Sequence, residues 1–268
     1  MIDARILDWV GLLASFTFLT YSSWKDIINR EVPDHVWFIS YPVALVLLAG
    51  RLIIQSSSWV LILASIASAL VLGFALAYLG LWGGADTKGL ICLAIMNPLV
   101  PILDWYVSPV NPLFPLTVFS NAYIASLVVV PYAIQRNLRT RPLHELFKGL
   151  EEESPLRKAA AFLTGYRVPV EESLNPKSFL FPLESIDQQG STLRRRFTFG
   201  LRVDLDPEKK LAEIKAAVSS GALQGTMWAS PGLPFLVFMT VGFVVSVLFG
   251  DIVWRTVSVV ARAVHGLP

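Results

Sequence analysis

The sequence predicts an all-α polytopic membrane protein: six transmembrane helices, with a small mixed α/β cytoplasmic domain set between helices five and six. Three observations predict it. Of 268 residues, 54% are hydrophobic and 16% charged, and mean hydropathy is +0.58, whereas a soluble domain is roughly 45–50% apolar and about 25% charged. Charge is also segregated: 15 of 22 Lys+Arg and 12 of 20 Asp+Glu fall between Arg136 and Lys215. The other 188 residues share only 7 basic and 8 acidic side chains. Finally, six apolar stretches approach the ~20 residues that a helix needs to cross hydrocarbon.

Those stretches are 6–24, 35–54, 59–82, 87–103, 115–135 and 232–250. The long uncharged run Leu52–Ala85 holds one crossing plus flanks, because Gln55-Ser56-Ser57-Ser58 interrupts its hydrophobicity before Trp59. Two more uncharged runs, Trp105–Gln135 and Ala216–Gly250, hold the fifth and sixth. The fourth is the shortest. Three parts follow: 1–135 with five spans, 136–225 as a soluble cytoplasmic domain, and 226–268 with the last span and a tail. Cytoplasmic loops favour Lys and Arg, so the basic insert is expected inside, as is the 25–34 loop with Lys25 and Arg30. The 104–114 loop, without Lys or Arg, then lies outside, and so does the N-terminus. Arg51, Arg255 and Arg262 count against that orientation. Asp3 and Asp8 stand where a cleavable signal would carry its positive charge, so none is expected.

Within the insert, Arg196–Asp204 alternates with period two, placing Phe197, Phe199, Leu201 and Val203 on one face of a strand. Ser178–Glu184 is a second strand, confined to an edge by Pro182. Asp206-Pro207-Glu208 opens a helix running to about Ser219, which Gly221 and Gly225 end.

One cysteine, Cys92, excludes an internal disulfide and a multi-cysteine zinc module, and His35, His144 and His265 form no cluster, so no metal or cofactor is expected. A net charge of +2 gives no footprint for nucleic acid. What remains is acidic. Asp86 follows Trp82-Gly83-Gly84-Ala85 and precedes Thr87-Lys88, at the start of span four. Its plain reading is an N-cap that accepts a backbone N–H. Asp26 ends span one beside Lys25, and its plain reading is a solvated charge at a membrane border. Between them the chain crosses twice, so both return to one face whichever way the protein is oriented. Two carboxylates in hydrogen-bond reach do not both ionise cheaply. They share a proton, and one activates a water while the other protonates a scissile carbonyl. That is aspartic-protease chemistry.

The pattern Asp26-x-x-x-Arg30-x-Val32-Pro33 with Gly83-Gly84-Ala85-Asp86-x-Lys88 resembles the type IV prepilin peptidase superfamily of GxGD membrane aspartic proteases, above all the archaeal preflagellin (prearchaellin) peptidases. Pro231-Gly232-Leu233-Pro234-Phe235, leading through Thr240-Val241-Gly242-Phe243 to Gly250-Asp251, is similar to that family's last span. The resemblance covers nearly the whole chain. It implies catalytic roles for Asp26 and Asp86, backbone support from Gly83, Gly84, Ala85 and Lys88, and a plasma-membrane enzyme that cuts the short basic leader from prearchaellin or pilin-like precursors at the cytoplasmic face. Ala85 departs from the family's glycine, and alanine tolerates positive φ poorly, so a hinge immediately before Asp86 falls to Gly83 and Gly84. The bacterial branch also N-methylates its product and carries a four-cysteine domain, which one cysteine does not build, so peptidase activity alone is expected. Glu31 and Asp34 are candidate contacts for the basic leader. Competing readings are a presenilin-like or signal-peptide-peptidase-like intramembrane protease, a proton-coupled transporter and a non-enzymatic scaffold. Against the first, Asp26 sits at a span end beside Lys25. Against the second, the two halves show no matching repeat.

Overall fold

A computed structural model describes residues 4–54, 58–105, 111–139, 143–175, 178–189, 192–199 and 207–265. In chain order the helices are α1 (Ala4–Asn29), α2 (Asp34–Ile54), α3 (Trp59–Tyr78), α4 (Gly84–Met96), α5 (Phe114–Ser126), α6 (Val129–Arg139), α7 (Pro155–Thr164), α8 (Val170–Leu174), α9 (Pro207–Ser219), α10 (Phe235–Phe249) and α11 (Ile252–His265). The strands are β1 (Tyr166–Pro169), β2 (Leu180–Pro182), β3 (Glu184–Gln189), β4 (Thr192–Phe197) and β5 (Thr226–Pro231). The chain divides into two compact units, Met1–Ser126 with Pro234–Pro268, and Leu127–Leu233.

Among the described residues three helical stretches are long and apolar enough to cross a membrane: α2, α3 and the 26-residue run Phe114–Arg139. A fourth qualifies if α10 and α11, bent by 51° at Gly250-Asp251, count as one. The protein is therefore a mostly helical membrane protein with a small sheet region, and its helices are less uniform than six equal stretches of apolar sequence imply. Polarity lightens α1, whose buried face carries Asp8, Ser15, Ser22, Ser23 and Asp26. The span expected over 87–103 ends early: α4 stops after 13 residues, with Asn97 (φ −135°) as its C-cap, because Pro98 disfavours the helical conformation in the residue before it. Likewise α3 stops at Tyr78, ahead of Gly80 at φ 68°. Residues 55–57 of the interrupting Gln-Ser-Ser-Ser segment lie outside the described residues.

In the first unit α4 is the centre. Leu90, Cys92, Leu93 and Ala94 have no exposed surface, and Thr87, Gly89 and Ile91 are buried as well. A helix that is apolar all round belongs inside its neighbours. On α10, Gly242 lets two backbones meet: a Cβ there would stand 2.5 Å from Ala122 N and 2.6 Å from Val118 O on α5. Small residues serve this purpose where helices approach in apolar surroundings. Asp251 caps α11 by accepting from Trp254 N at 2.9 Å, and also accepts from Thr117 Oγ1 at 3.2 Å.

A polar knot ties α1, α2 and α4. Arg51 is 1% exposed. Its Nη1 pairs with Asp8 Oδ1, its Nε donates to Met96 O at 3.2 Å, and its Nη2 donates to Leu7 O and to Asn97 Oδ1. Asn97 Nδ2 donates to Ser15 Oγ at 2.7 Å and to Gly11 O at 3.1 Å. Asp8 Oδ2 accepts Ile102 N at 2.9 Å, which anchors the non-helical segment beyond α4. Arg51 is thus engaged inside the helix bundle, and its charge is no vote on which loop faces the cytoplasm. Arg255 and Arg262, by contrast, are exposed on α11.

The second unit holds an antiparallel sheet of order β1-β5-β2 and the hairpin β3-β4. Glu184, with no exposed surface, takes Arg195 in a two-pronged pair at 2.6 and 2.9 Å and also accepts Trp228 N. Phe147 stacks on Trp228 at 5.2 Å. Pro182 closes the edge strand β2. The strand expected over 196–204 is displaced: β4 ends at Phe197, where pairing with Glu184 ends, while Leu201 and Val203 lie outside the described residues. The helix expected from Pro207 to Ser219 is α9, and its expected cap, Asp206, is also outside them. Gly221 and Gly225 both take positive φ after it.

The knot makes a specific stability claim. Arg51→Leu strands the Asp8 carboxylate in apolar surroundings and should cost about 3–5 kcal/mol, whereas Asp8→Leu with Arg51→Leu removes both charges and should recover most of that loss. Thermal unfolding in detergent measures both; equal destabilisation by the single and double variants would contradict it.

Candidate active site

Asp26 lies in the last turn of α1 and is 9% exposed. That helix ends because Arg30 adopts φ 55°, with its N–H on Asp26 O at 3.1 Å. Asp86 stands three residues after Gly83, the N-cap of α4, and its Oδ2 accepts Gly83 N at 3.1 Å. The capping role foreseen for Asp86 is therefore real, but it is exercised from inside the first turn. Ala85 sits in that same helical turn, so no positive φ is asked of it. Neither Gly83 nor Gly84 uses positive φ; the preceding turn is made by Gly80 instead. The glycines leave room: a Cβ at Gly84 would meet nothing within 4 Å.

The two carboxyls belong to one locale. Asp26 and Asp86 are within electrostatic reach of each other, and the backbone amide of Leu236, in the first turn of α10, lies beside both. Arg30 also acts on Asp26 through its charge. Among the described residues, Asp26 Oδ2 has no hydrogen-bond partner.

Helix arithmetic accounts for this shared locale. Ser15 and Asn97 touch at 2.7 Å. Asp26 follows Ser15 by eleven residues, and Asp86 precedes Asn97 by eleven. Eleven residues make about three turns and roughly 16 Å, so each aspartate returns to the face that carries the contact. Because α1 and α4 run in opposite directions, equal steps from one contact bring both acids to one level.

Side chains that the sequence did not single out complete the surroundings. Ser23, one turn before Asp26, donates to Leu236 O at 2.8 Å and meets Thr240 Oγ1 at 2.7 Å, fastening α1 to the start of α10. Its spacing from Asp26 was the available signal. Tyr123 of α5 lies within electrostatic reach of Asp86, its ring 4.6 Å from Phe119 and 5.1 Å from Phe235. Trp82 packs 4.8 Å from Phe235. No spacing rule marks such an aromatic wall beforehand. Thr87 Oγ1 bonds Gly73 O at 3.2 Å, holding the first turn of α4 against α3.

The remaining expected residues sit at the rim. Lys88 Nζ lies 3.5 Å from Asp34 Oδ1, with both side chains largely exposed, and 5.8 Å from the Trp37 ring. Tyr41 OH donates to Lys88 O. Glu31 is exposed between α1 and α2. Among the described residues no three His, Cys, Asp or Glu side chains are placed to hold a metal ion. The arrangement offers two acids with different partners, one open backbone edge and an aromatic side, which suits proton exchange with a water held between the carboxyls.

Comparison with known proteins agrees with this layout. Over 137 residues the chain is 30% identical to prepilin peptidase EppA of Methanothermobacter thermautotrophicus, covering 47% of this chain and 34% of that protein. It thus spans about a third of that relative's length. With preflagellin peptidase of Methanococcus voltae it is 25% identical over 251 residues, covering 90% of this chain and 94% of the other. The model of the type IV leader peptidase family matches residues 13–133, which include Asp26 and Asp86, and that of the archaeal peptidase A24 C-terminus, type II, matches residues 157–252. These two matches follow one another along the sequence, so the chain is similar in its first part to the type IV leader peptidase family and in its later part to the archaeal peptidase A24 C-terminus.

Proposed function

We propose that this protein is a multi-pass aspartic endopeptidase of the plasma membrane that removes the short basic leader from prearchaellin or pilin-like precursors at the cytoplasmic face, without N-methylation. The observation that carries the reading is the convergence of Asp26 and Asp86, from helices far apart in sequence, on the Leu236 amide. Six passages account for the chain: α1, α2, α3, α4 with the segment after it, the run from α5 through α6, and α10. Non-helical backbone is tolerated at membrane depth where protein buries and satisfies it. The bonds from Asp8 to Ile102 N and from Ser65 to Pro98 O do this after α4. The residues 136–225 then form the cytoplasmic domain.

The chemistry needs one proton on the pair. The ionised carboxylate takes a proton from water as its oxygen attacks the scissile carbonyl carbon, and the protonated partner donates to the carbonyl oxygen. A neutral tetrahedral diol results. Its collapse breaks the C–N bond, with one carboxyl protonating the departing amine and the other taking a hydroxyl proton, which restores the single shared proton. The open side of Gly84 gives a substrate backbone access to Asp86. Glu31 is the freer acid for a basic leader, since Lys88 already accompanies Asp34.

Three measurements test this. Purified protein in detergent should cleave a precursor with a basic leader, and Asp26→Asn or Asp86→Asn alone should lower kcat at least about 100-fold, as expected on losing a general acid or base. Full cleavage by either variant would reject the pair. The pH profile of kcat/KM should be bell-shaped: acid adds a second proton and removes the base, while alkali removes the shared proton and with it the acid. A profile flat across both limbs contradicts proton sharing. Neutralising the leader lysines should raise KM, and an unchanged KM removes the electrostatic role of Glu31 and Asp34.

A further inference from the structure

Along one side of the first unit, α1 and α2 leave an open apolar groove with a volume of about 630 Å³. Its floor is Phe18 and Met96, both buried, and its rims include Leu13 on α1 and Ile39 on α2, which are 68% and 65% exposed. Only one end is strongly polar. There Tyr21 OH and His35 Nε2 stand 3.3 Å apart. Tyr21 precedes Asp26 by five residues on the same helix, under one and a half turns. The groove runs from there to Val10, a rise of roughly 16 Å along α1.

We infer that this groove seats the apolar helix of the substrate immediately after the cut bond, an inference that rests on the leader-peptidase reading. Three features select a polypeptide helix as occupant. A chain leaving the carboxyls along α1 meets the groove within two turns. A peptide bond under attack must be extended, so the substrate helix begins just beyond it, and the first four N–H groups of any helix lack internal acceptors. The Tyr21 phenol oxygen at this end, bonded to His35 Nε2, keeps accepting capacity of its own and can take a hydrogen bond from such an N–H group. A lipid acyl chain presents no donor to that phenol oxygen. The apolar rims, meanwhile, admit a helix sideways from the bilayer.

The test is photocrosslinking in full-length protein carrying Asp86→Asn, so that bound precursor stays intact. A benzophenone amino acid replaces Ile39 on the groove rim or, as control, Phe74 on α3, which is 61% exposed and away from the groove. The probe is a purified precursor with a basic leader followed by its apolar helix, reconstituted in lipid vesicles. Adducts in the apolar helix from position 39 and none from position 74 are expected. Equal adducts from both positions, adducts to lipid alone, or adducts only in the leader overturn the inference. Wild-type cleavage of the same precursor is followed in parallel. Cleavage without an adduct at position 39 discards the groove and leaves the peptidase; an adduct at position 39 with no wild-type cleavage discards the peptidase and leaves a helix-binding groove.

Discussion

Everything in the first unit depends on satisfying buried polar groups where no water is available to do it. Arg51, Asp8, Asn97 and Ser15 form one closed set of hydrogen bonds across α1, α2 and α4, and a charge left out of such a set costs several kcal/mol. The set fixes more than stability. It sets the rotation and the slide of α1 against α4, because shifting either helix by one residue breaks the contact of Asn97 with Ser15. From that contact the same number of residues leads to Asp26 on one helix and Asp86 on the other. A structural knot far from the carboxyls therefore determines whether the carboxyls meet.

The third participant is α10, and its role comes mainly from backbone. The Leu236 amide lies beside both acids, and its carbonyl accepts from Ser23. Gly242, further along, presses α10 onto α5, so the start of α10 is held from both sides. Rigid placement of this kind suits the proton exchange proposed for the two acids, which needs only small movements. Gly84 leaves a flank open, since the first turn of α4 has no neighbour there within contact distance of an added Cβ.

Much of this was legible in the sequence, for particular reasons. Membrane character follows from composition, and the pairing of Asp26 with Asp86 follows from parity, since two crossings return a chain to the same side. Helix lengths were less legible. Hydropathy continues past Asn97, but Pro98 and the bonds that fasten the following segment halt α4 early. Arg51 misled in a different way, because a residue's type does not reveal that a partner 43 residues away consumes its charge. The register of β4 escaped because alternation continues beyond the point where pairing to β3 ends. Leu236 escaped most completely: an amide is common to nearly every residue, and only the fold says which one faces an acid.

The ring contact between Tyr123 and Phe235, 5.1 Å apart, has a bearing on how such proteins diversify. Tyr123 stands three residues before the chain departs for its second unit, and Phe235 is among the first residues after it returns. Exit and re-entry are thus neighbours. Segments whose ends lie close together are the ones most readily swapped, shortened or enlarged, because closing a short gap needs little adjustment in the host. The 127–233 portion thus leaves and rejoins its host through one narrow seam, so a change in its length would ask little adjustment of the helices that carry Asp26 and Asp86.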